Sequence, residues 1–372
     1  MNKHYLFVPF FMVLLCGCQS SFGPRALKNT HPAYNQVIVN TLDQQMLLNL
    51  VRLKYRDSAF FLNVNSVTAS FGMGADIGVE AEIPWDFDQD NVRLGDGRLV
   101  RPNVGMSYSQ SPTISYTPLQ GEEFLESVLT PIPIEALLIL TQSGWRIDRV
   151  FAIALERIND LYNAPRASGP TPPEEPQYKK FQRMLELLNQ LQMANLIEIG
   201  PHLDVDKNRI VMVFIEADPD YQSVIEELKS LLGITQESNQ FRITRNFLDY
   251  IEGEWDVRTR SMSSILYYLS QNVEVPEKHK KDGLVTITKT RNGEEFNWDE
   301  PPAGTMLKIR SRKRGKPDNA FVSVPYRGAW FYIADNDLNS KSTFTLLKQL
   351  FSLQAGQIRE AGPTLTLPVG GG

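Results

Sequence analysis

The 372-residue sequence predicts an α+β fold. Segments with apolar residues three and four apart, the mark of amphipathic helices, alternate with segments of two-residue period, the mark of strands. A proline-rich stretch, Ala164 to Gln177, separates a helix-rich N-terminal domain carrying a hairpin from C-terminal mixed αβ units. The length suits two domains at about 100 to 200 residues each.

Residues 18–30 are polar and include Gly23 and Pro24, which reads as a tether. From Ala33 to about Tyr55, residues Val37, Ile38, Leu42, Met46, Leu47, Leu50 and Val51 fall at helical spacing, so one long amphipathic helix is expected. Phe60 to Ser70 alternates as a strand. Gly72, Gly74 and Gly78 interrupt that pattern, and residues 72–102 read as a long mobile loop. Val104 to Tyr116 has a two-residue period with Ser111 and Pro112 at a bend, which predicts a hairpin. Gly121 to Leu129, Ile134 to Gln142 and Asp148 to Tyr162 read as helices broken by Pro131, Pro133 and Gly144, completing a domain over 31–163.

Pro165, Pro170, Pro172, Pro173 and Pro176 make residues 164–177 a semi-rigid, exposed linker. In the domain over 178–355, helices are expected at Tyr178 to Leu196, Gln222 to Leu232, Ser261 to Gln271 and Ser342 to Phe351. Strands are expected as a pair over Leu203 to Ile215 and at Phe241 to Ile243, Val285 to Thr290, Thr305 to Arg312, Ala320 to Tyr326 and Trp330 to Ile333. Residues 356–372 end in Gly370, Gly371 and Gly372 and read as a disordered tail.

The N-terminus carries an address. Lys3 precedes an apolar run, Tyr5 to Leu15, shorter than the roughly 20 residues a spanning helix needs, so it reads as a signal peptide. Leu15, Cys16, Gly17 and Cys18 resemble the lipobox of bacterial lipoproteins. That resemblance implies removal of residues 1–17 and acylation of Cys18, with palmitate among the chains. Gln19 and Ser20, with no Asp after the cysteine, imply transfer to the outer membrane, on its periplasmic face. Several acyl chains hold a protein durably, whereas one holds it marginally. Cleavage leaves Cys18 as the only cysteine, which suits an oxidising compartment. The segments Gln44 to Asp57, Gln142 to Trp145 and Trp330 to Phe351 resemble uncharacterised lipoproteins of Gram-negative bacteria; this implies location and no activity.

The net charge of −5 argues against a nucleic-acid partner. Two acidic runs have the i, i+2, i+4 spacing of calcium-loop oxygens: Asp86, Asp88, Asp90 and Asp335, Asp337, Asn339. Both lack the Glu at the twelfth position, where Gly97 and Leu346 stand. A solvated acidic loop is the competing reading of the first run and a helix cap that of the second. No cofactor is therefore expected, and calcium is the one candidate that the spacing raises. Lys308, Arg310, Arg312, Lys313, Arg314 and Lys316 form a basic cluster, either a solvated hairpin or an attachment for an anionic surface. Tyr267, Tyr268, Trp330, Phe331 and Tyr332 are expected in the core, or else as interface anchors.

Catalytic motifs are thin. His31, His202 and His279 are isolated, no G-x-S-x-G or S-x-x-K occurs, and no free cysteine remains after acylation. The expected function is lipid-anchored binding or scaffolding in the cell envelope, with an envelope protein partner or self-assembly. The alternative is an envelope hydrolase acting on glycan or lipid.

Overall fold

Helices and strands both build the chain, and a computed structural model describes residues 22–82, 85–88, 91–94, 99–204, 207–215, 219–235, 237–245, 253–355 and 365–368. Cys18, the signal peptide and Asp90 lie outside these residues. In order come α1 (Phe22–Lys54), β1 (Phe61–Glu82), β2 (Trp85–Asp88), β3 (Asn91–Leu94), β4 (Leu99–Leu119), α2 (Glu122–Leu129), α3 (Ile134–Gln142) and α4 (Ile147–Ala154). Then follow β5 (Leu155–Ile158), β6 (Leu161–Tyr162), a 3₁₀ turn (Pro165–Ser168), α5 (Lys179–Met193), β7 (Ile197–Asp204), β8 (Lys207–Phe214), α6 (Pro219–Leu232), β9 (Gln240–Thr244), β10 (Glu254–Thr259) and α7 (Met262–Ser270). The order closes with α8 (Glu277–Lys281), α9 (Pro302–Met306), β11 (Arg310–Arg312), β12 (Ala320–Tyr326), β13 (Ala329–Ala334), α10 (Leu338–Ala355) and β14 (Leu365–Pro368). Among the described residues no helix is long and apolar enough to cross a membrane.

Two compact units result: residues 1–61 with 120–359, and residues 62–119 with 360–372. In the smaller, β4 lies between β1 and β14, with Leu365 opposite Tyr116 and Pro368 opposite Thr113, while β2 and β3 form a hairpin. The expected loop over 72–102 thus holds the end of β1, the β2–β3 hairpin and the start of β4. Glycines weaken a strand but do not forbid it when a partner supplies the hydrogen bonds. The expected hairpin over 104–116 is one uninterrupted strand, and the tail contributes β14.

The larger unit has a six-stranded sheet in the order β6-β5-β10-β9-β8-β7, antiparallel except where β10 runs parallel to β9. Phe214, Phe241 and Trp255 meet within it at ring-centroid distances of 5.5 to 6.2 Å. Helix α5 packs between α4 and α6, and α7 contacts α1, α2, α4, α9 and α10. The sequence of α7, MSSILYYLS, suits that central place: Met262, Ile265, Leu266, Tyr268 and Leu269 are buried, and the Ser261 hydroxyl caps it by accepting the Ser264 amide at 3.2 Å. A second sheet has the order β11-β13-β12.

Asp148 to Tyr162 is not one helix. It breaks at Ala154, and Leu155 to Ile158 pairs with β10, its apolar residues Leu155 and Ile158 lying three apart as in a helix. Val285 to Thr290 forms no strand, and of Thr305 to Arg312 only the last three residues are one.

The proline-rich segment is not a linker between domains, because both of its flanks belong to the larger unit. Thr171, Pro172 and Pro176 are buried. The Arg260 guanidinium, only 1 % exposed, donates to the carbonyls of Leu155 (2.5 Å), Asn163 and Ala164 (3.4 Å) and to Ser168 Oγ (3.2 Å). It also stacks 4.0 Å from the Tyr268 ring centroid, and the Tyr268 hydroxyl donates to Asn163 Oδ1 at 2.9 Å. A buried cation is tolerable when its donors are satisfied in this way.

Candidate functional site

Within the larger unit lies a cleft of about 760 Å³. One wall is the segment 271–277 that leaves α7, running beside 308–313: Glu274 N donates to the Ile309 carbonyl at 2.8 Å, Ile309 N to the Asn272 carbonyl at 3.2 Å, and Ser311 N to Glu274 Oε2 at 3.1 Å. The opposite wall is 285–288 with 295–299. The proline-rich segment braces it, since Lys289 N donates to the Pro173 carbonyl (3.0 Å) and Thr288 Oγ1 to the Pro172 carbonyl (2.6 Å). Trp298 Nε1 donates to Thr288 Oγ1 at 3.2 Å. Gly304 is required there, because a Cβ on it would meet the Trp298 carbonyl oxygen at 1.9 Å.

Lys54, in the last turn of α1, also lines the cleft. Leu47, Leu50 and Val51 are fully buried on one stripe of that helix, and Lys54 completes the stripe at 6 % exposure. The helix ends just beyond it, with Arg56 in the left-handed region at φ 61° and Asp57 N donating to the Arg52 carbonyl at 2.9 Å. The Lys54 ammonium donates to Gln271 Oε1 at 3.2 Å and more weakly to the Gln271 carbonyl at 3.5 Å. Among the described residues no carboxylate pairs with it. Burial, partly offset by attraction to Glu295 and reinforced by repulsion from Lys280, brings its pKa down to about 8.

Two further lysines and three carboxylates of the cleft are paired. Lys280 Nζ donates to Glu295 at 2.7 and 2.9 Å and lies 3.1 Å from Glu277, while Lys308 lies 2.5 Å from Asp299. Burial lowers the Lys280 pKa, but the bonds to Glu295 and Glu277 outweigh it and hold the pKa above its ordinary value. Lys313 is exposed in the lining and has no ion pair among the described residues. Asn272 is 5 % exposed and its Nδ2 has no hydrogen-bond partner.

Of the basic cluster, Lys308 and Lys313 reach this cleft. Arg310 and Arg312 are exposed on β11, an edge strand, where positive side chains discourage pairing with another sheet. Arg314 and Lys316 are exposed in the following turn.

The second acidic run does not converge on one point. Asp335 pairs with Lys341 at 2.7 Å; Asp337 caps α10 by accepting Ser340 N at 3.0 Å; Asn339 Oδ1 accepts from Arg149 while its Nδ2 donates to the Thr305 carbonyl. Asp86 and Asp88 lie on β2, opposite Arg93 and Asn91. Among the described residues no group of three His, Cys, Asp or Glu could hold a metal ion.

His279 belongs to a cluster at the end of α1. Tyr55 Oη lies within hydrogen-bond distance of its Nδ1, at 2.6 Å, and burial, the largest influence, lowers the imidazole pKa. Beside it Asp57 accepts from the Tyr326 hydroxyl and from Arg327 (2.9 Å), and these bonds lower its pKa. These contacts tie α1 to the β12–β13 turn.

Lys54 carries a sequence signal: a lysine at i, i+3, i+4, i+7 register with Leu47, Leu50 and Val51 is a charge on an apolar face. Asn272 carries none, since it lies in an irregular segment. Comparison of the chain with protein families, with curated proteins and with solved structures gives no match.

Proposed function

We propose that this chain is a lipid-anchored, periplasm-facing binding or scaffolding protein of the cell envelope, attached through Cys18 at the outer membrane. The cleft beside Lys54 is its ligand surface. The observation that carries the reading is a cavity of small-molecule size, lined by polar and apolar surface alike, in which Glu277, Glu295 and Asp299 are held by lysines, while the buried Lys54 ammonium is not matched by any of them. Carboxylates engaged in this way favour binding over the two-carboxylate chemistry of a glycan hydrolase.

The test has two parts. Cys18→Ala is expected to shift the protein from the membrane to the soluble envelope fraction and change its gel mobility; unchanged fractionation would end the lipoprotein reading. A photo-crosslinking amino acid at Asn297 in cells is expected to capture one defined component. The same spectrum of products from Asn297 and from a surface site such as Glu186 would remove the cleft as the binding surface.

A further inference from the structure

Among the described residues, three donors of the cleft have hydrogen-bonding capacity that the fold does not use, and two of them are buried. The Lys54 ammonium carries three N–H bonds, yet its contacts are a 3.2 Å and a 3.5 Å approach to the neutral oxygens of one residue, Gln271. Charge-assisted bonds are ordinarily about 2.7 to 2.9 Å. Among the described residues the buried Asn272 amide nitrogen of the lining has no partner, and Lys313, exposed in the same lining, has no ion pair. Of the carboxylates, Glu277 and Glu295 are engaged by Lys280 and Asp299 by Lys308, while Glu274 is exposed and accepts from Ser311 N. A buried donor left unsatisfied is costly, and a buried cation more so, so the group that completes this site supplies acceptors and negative charge.

We propose that the cleft binds an oxyanion, a phosphate or carboxylate group, held between the Lys54 ammonium and the Asn272 side-chain amide. This rests on the reading of the cleft as a ligand surface. A cationic ligand would meet an unpaired buried lysine, and a neutral sugar would leave that lysine's charge unmatched. An oxyanion satisfies both donors at once, and Lys313 adds attraction from the lining. The Lys54 pKa of about 8 fits a cation buried without its counter-ion.

The test uses the full chain in detergent at pH 7. Thermal unfolding is followed with inorganic phosphate, sn-glycerol 3-phosphate or succinate, each against sodium chloride at matched ionic strength. A ligand that binds only the folded state raises the unfolding temperature in proportion to its saturation. At least one probe is expected to do so; a preference for glycerol phosphate assigns a headgroup source, and a preference for phosphate or succinate a free anion. Lys54→Met is expected to unfold at the same temperature or higher without ligand and to lose affinity by about tenfold or more. Asn272→Leu is expected to lose less. No response beyond the chloride control in the wild type, or an undiminished response in Lys54→Met, would overturn the proposal. Capture of a defined component from Asn297 alongside either of those results leaves the binding reading standing and removes only the oxyanion.

Discussion

Two buried cations flank α7, and their surroundings differ. Arg260, immediately before it, has its donors distributed over the carbonyls of Leu155, Asn163 and Ala164 and the Ser168 hydroxyl, with Tyr268 against its face. Lys54, near the other end, has two long contacts to Gln271 in a cleft where Glu277, Glu295 and Asp299 pair with other lysines. Burial of charge alone therefore does not separate structure from function; the accounting of donors does. Every guanidinium nitrogen of Arg260 has an acceptor and the residue holds the proline-rich segment in place, whereas Lys54 retains capacity beside a cavity.

The comparison breaks most readily at Arg260. Arg260→Met leaves the Asn163 carbonyl without its donor, removes one of the two donors to the Leu155 carbonyl, and is expected to cost about 3–5 kcal/mol of unfolding free energy, measured by urea denaturation. A loss near zero would mean that the segment does not depend on the clamp.

The next effect sharpens the contrast through pH. The unfolded chain keeps the Lys54 proton up to its ordinary pKa of 10.5, whereas the folded chain releases it near 8. Between those values the unfolded state binds more protons, so stability rises with pH through that window, and below pH 8 the penalty of the buried charge is fully present. The wild type should gain about 3 kcal/mol relative to Lys54→Met between pH 8 and 10.5. A flat difference would mean that Lys54 is solvated.

Gly304→Ala tests the cleft wall. Its methyl would displace the Trp298 carbonyl, at an expected cost of about 2 kcal/mol, with a change in tryptophan fluorescence and a weakened response to anions. The smallest effect is expected at the end of α1, where Asp57→Asn weakens the half-exposed bonds to Tyr326 and Arg327. About 1 kcal/mol of stability should be lost, with anion binding unchanged.

The legibility of the chain follows the same divide. Helix α3 coincides with the expected Ile134 to Gln142, and α7 with the expected segment less its capping residues Ser261 and Gln271, because apolar spacing and a capping serine both act locally. Leu155 to Ile158, LERI, directly follows the apolar Val150 to Ala154 and also fits a helical period, and only its pairing with β10, about a hundred residues distant in the chain, makes it a strand. The proline-rich segment has the composition of an exposed spacer, and its burial depends on Arg260, which no local pattern connects to it. The cleft is the least legible part. Its walls, 271–277 and 285–299, are mostly irregular and are positioned by single hydrogen bonds to distant backbone. Lys54 alone was open to detection, as a charge within the Leu47, Leu50, Val51 stripe. The basic cluster was visible as composition, but the division of Lys308 and Lys313 to the cleft and Arg310 and Arg312 to a sheet edge comes from β11.

The most direct measurement is urea denaturation of Lys54→Met and Arg260→Met side by side with the wild type at pH 7. The expected result is a Lys54→Met midpoint at or above that of the wild type and an Arg260→Met midpoint far below it. Equal losses in the two variants would contradict the claim that Lys54, unlike Arg260, is held for a ligand and not for the fold.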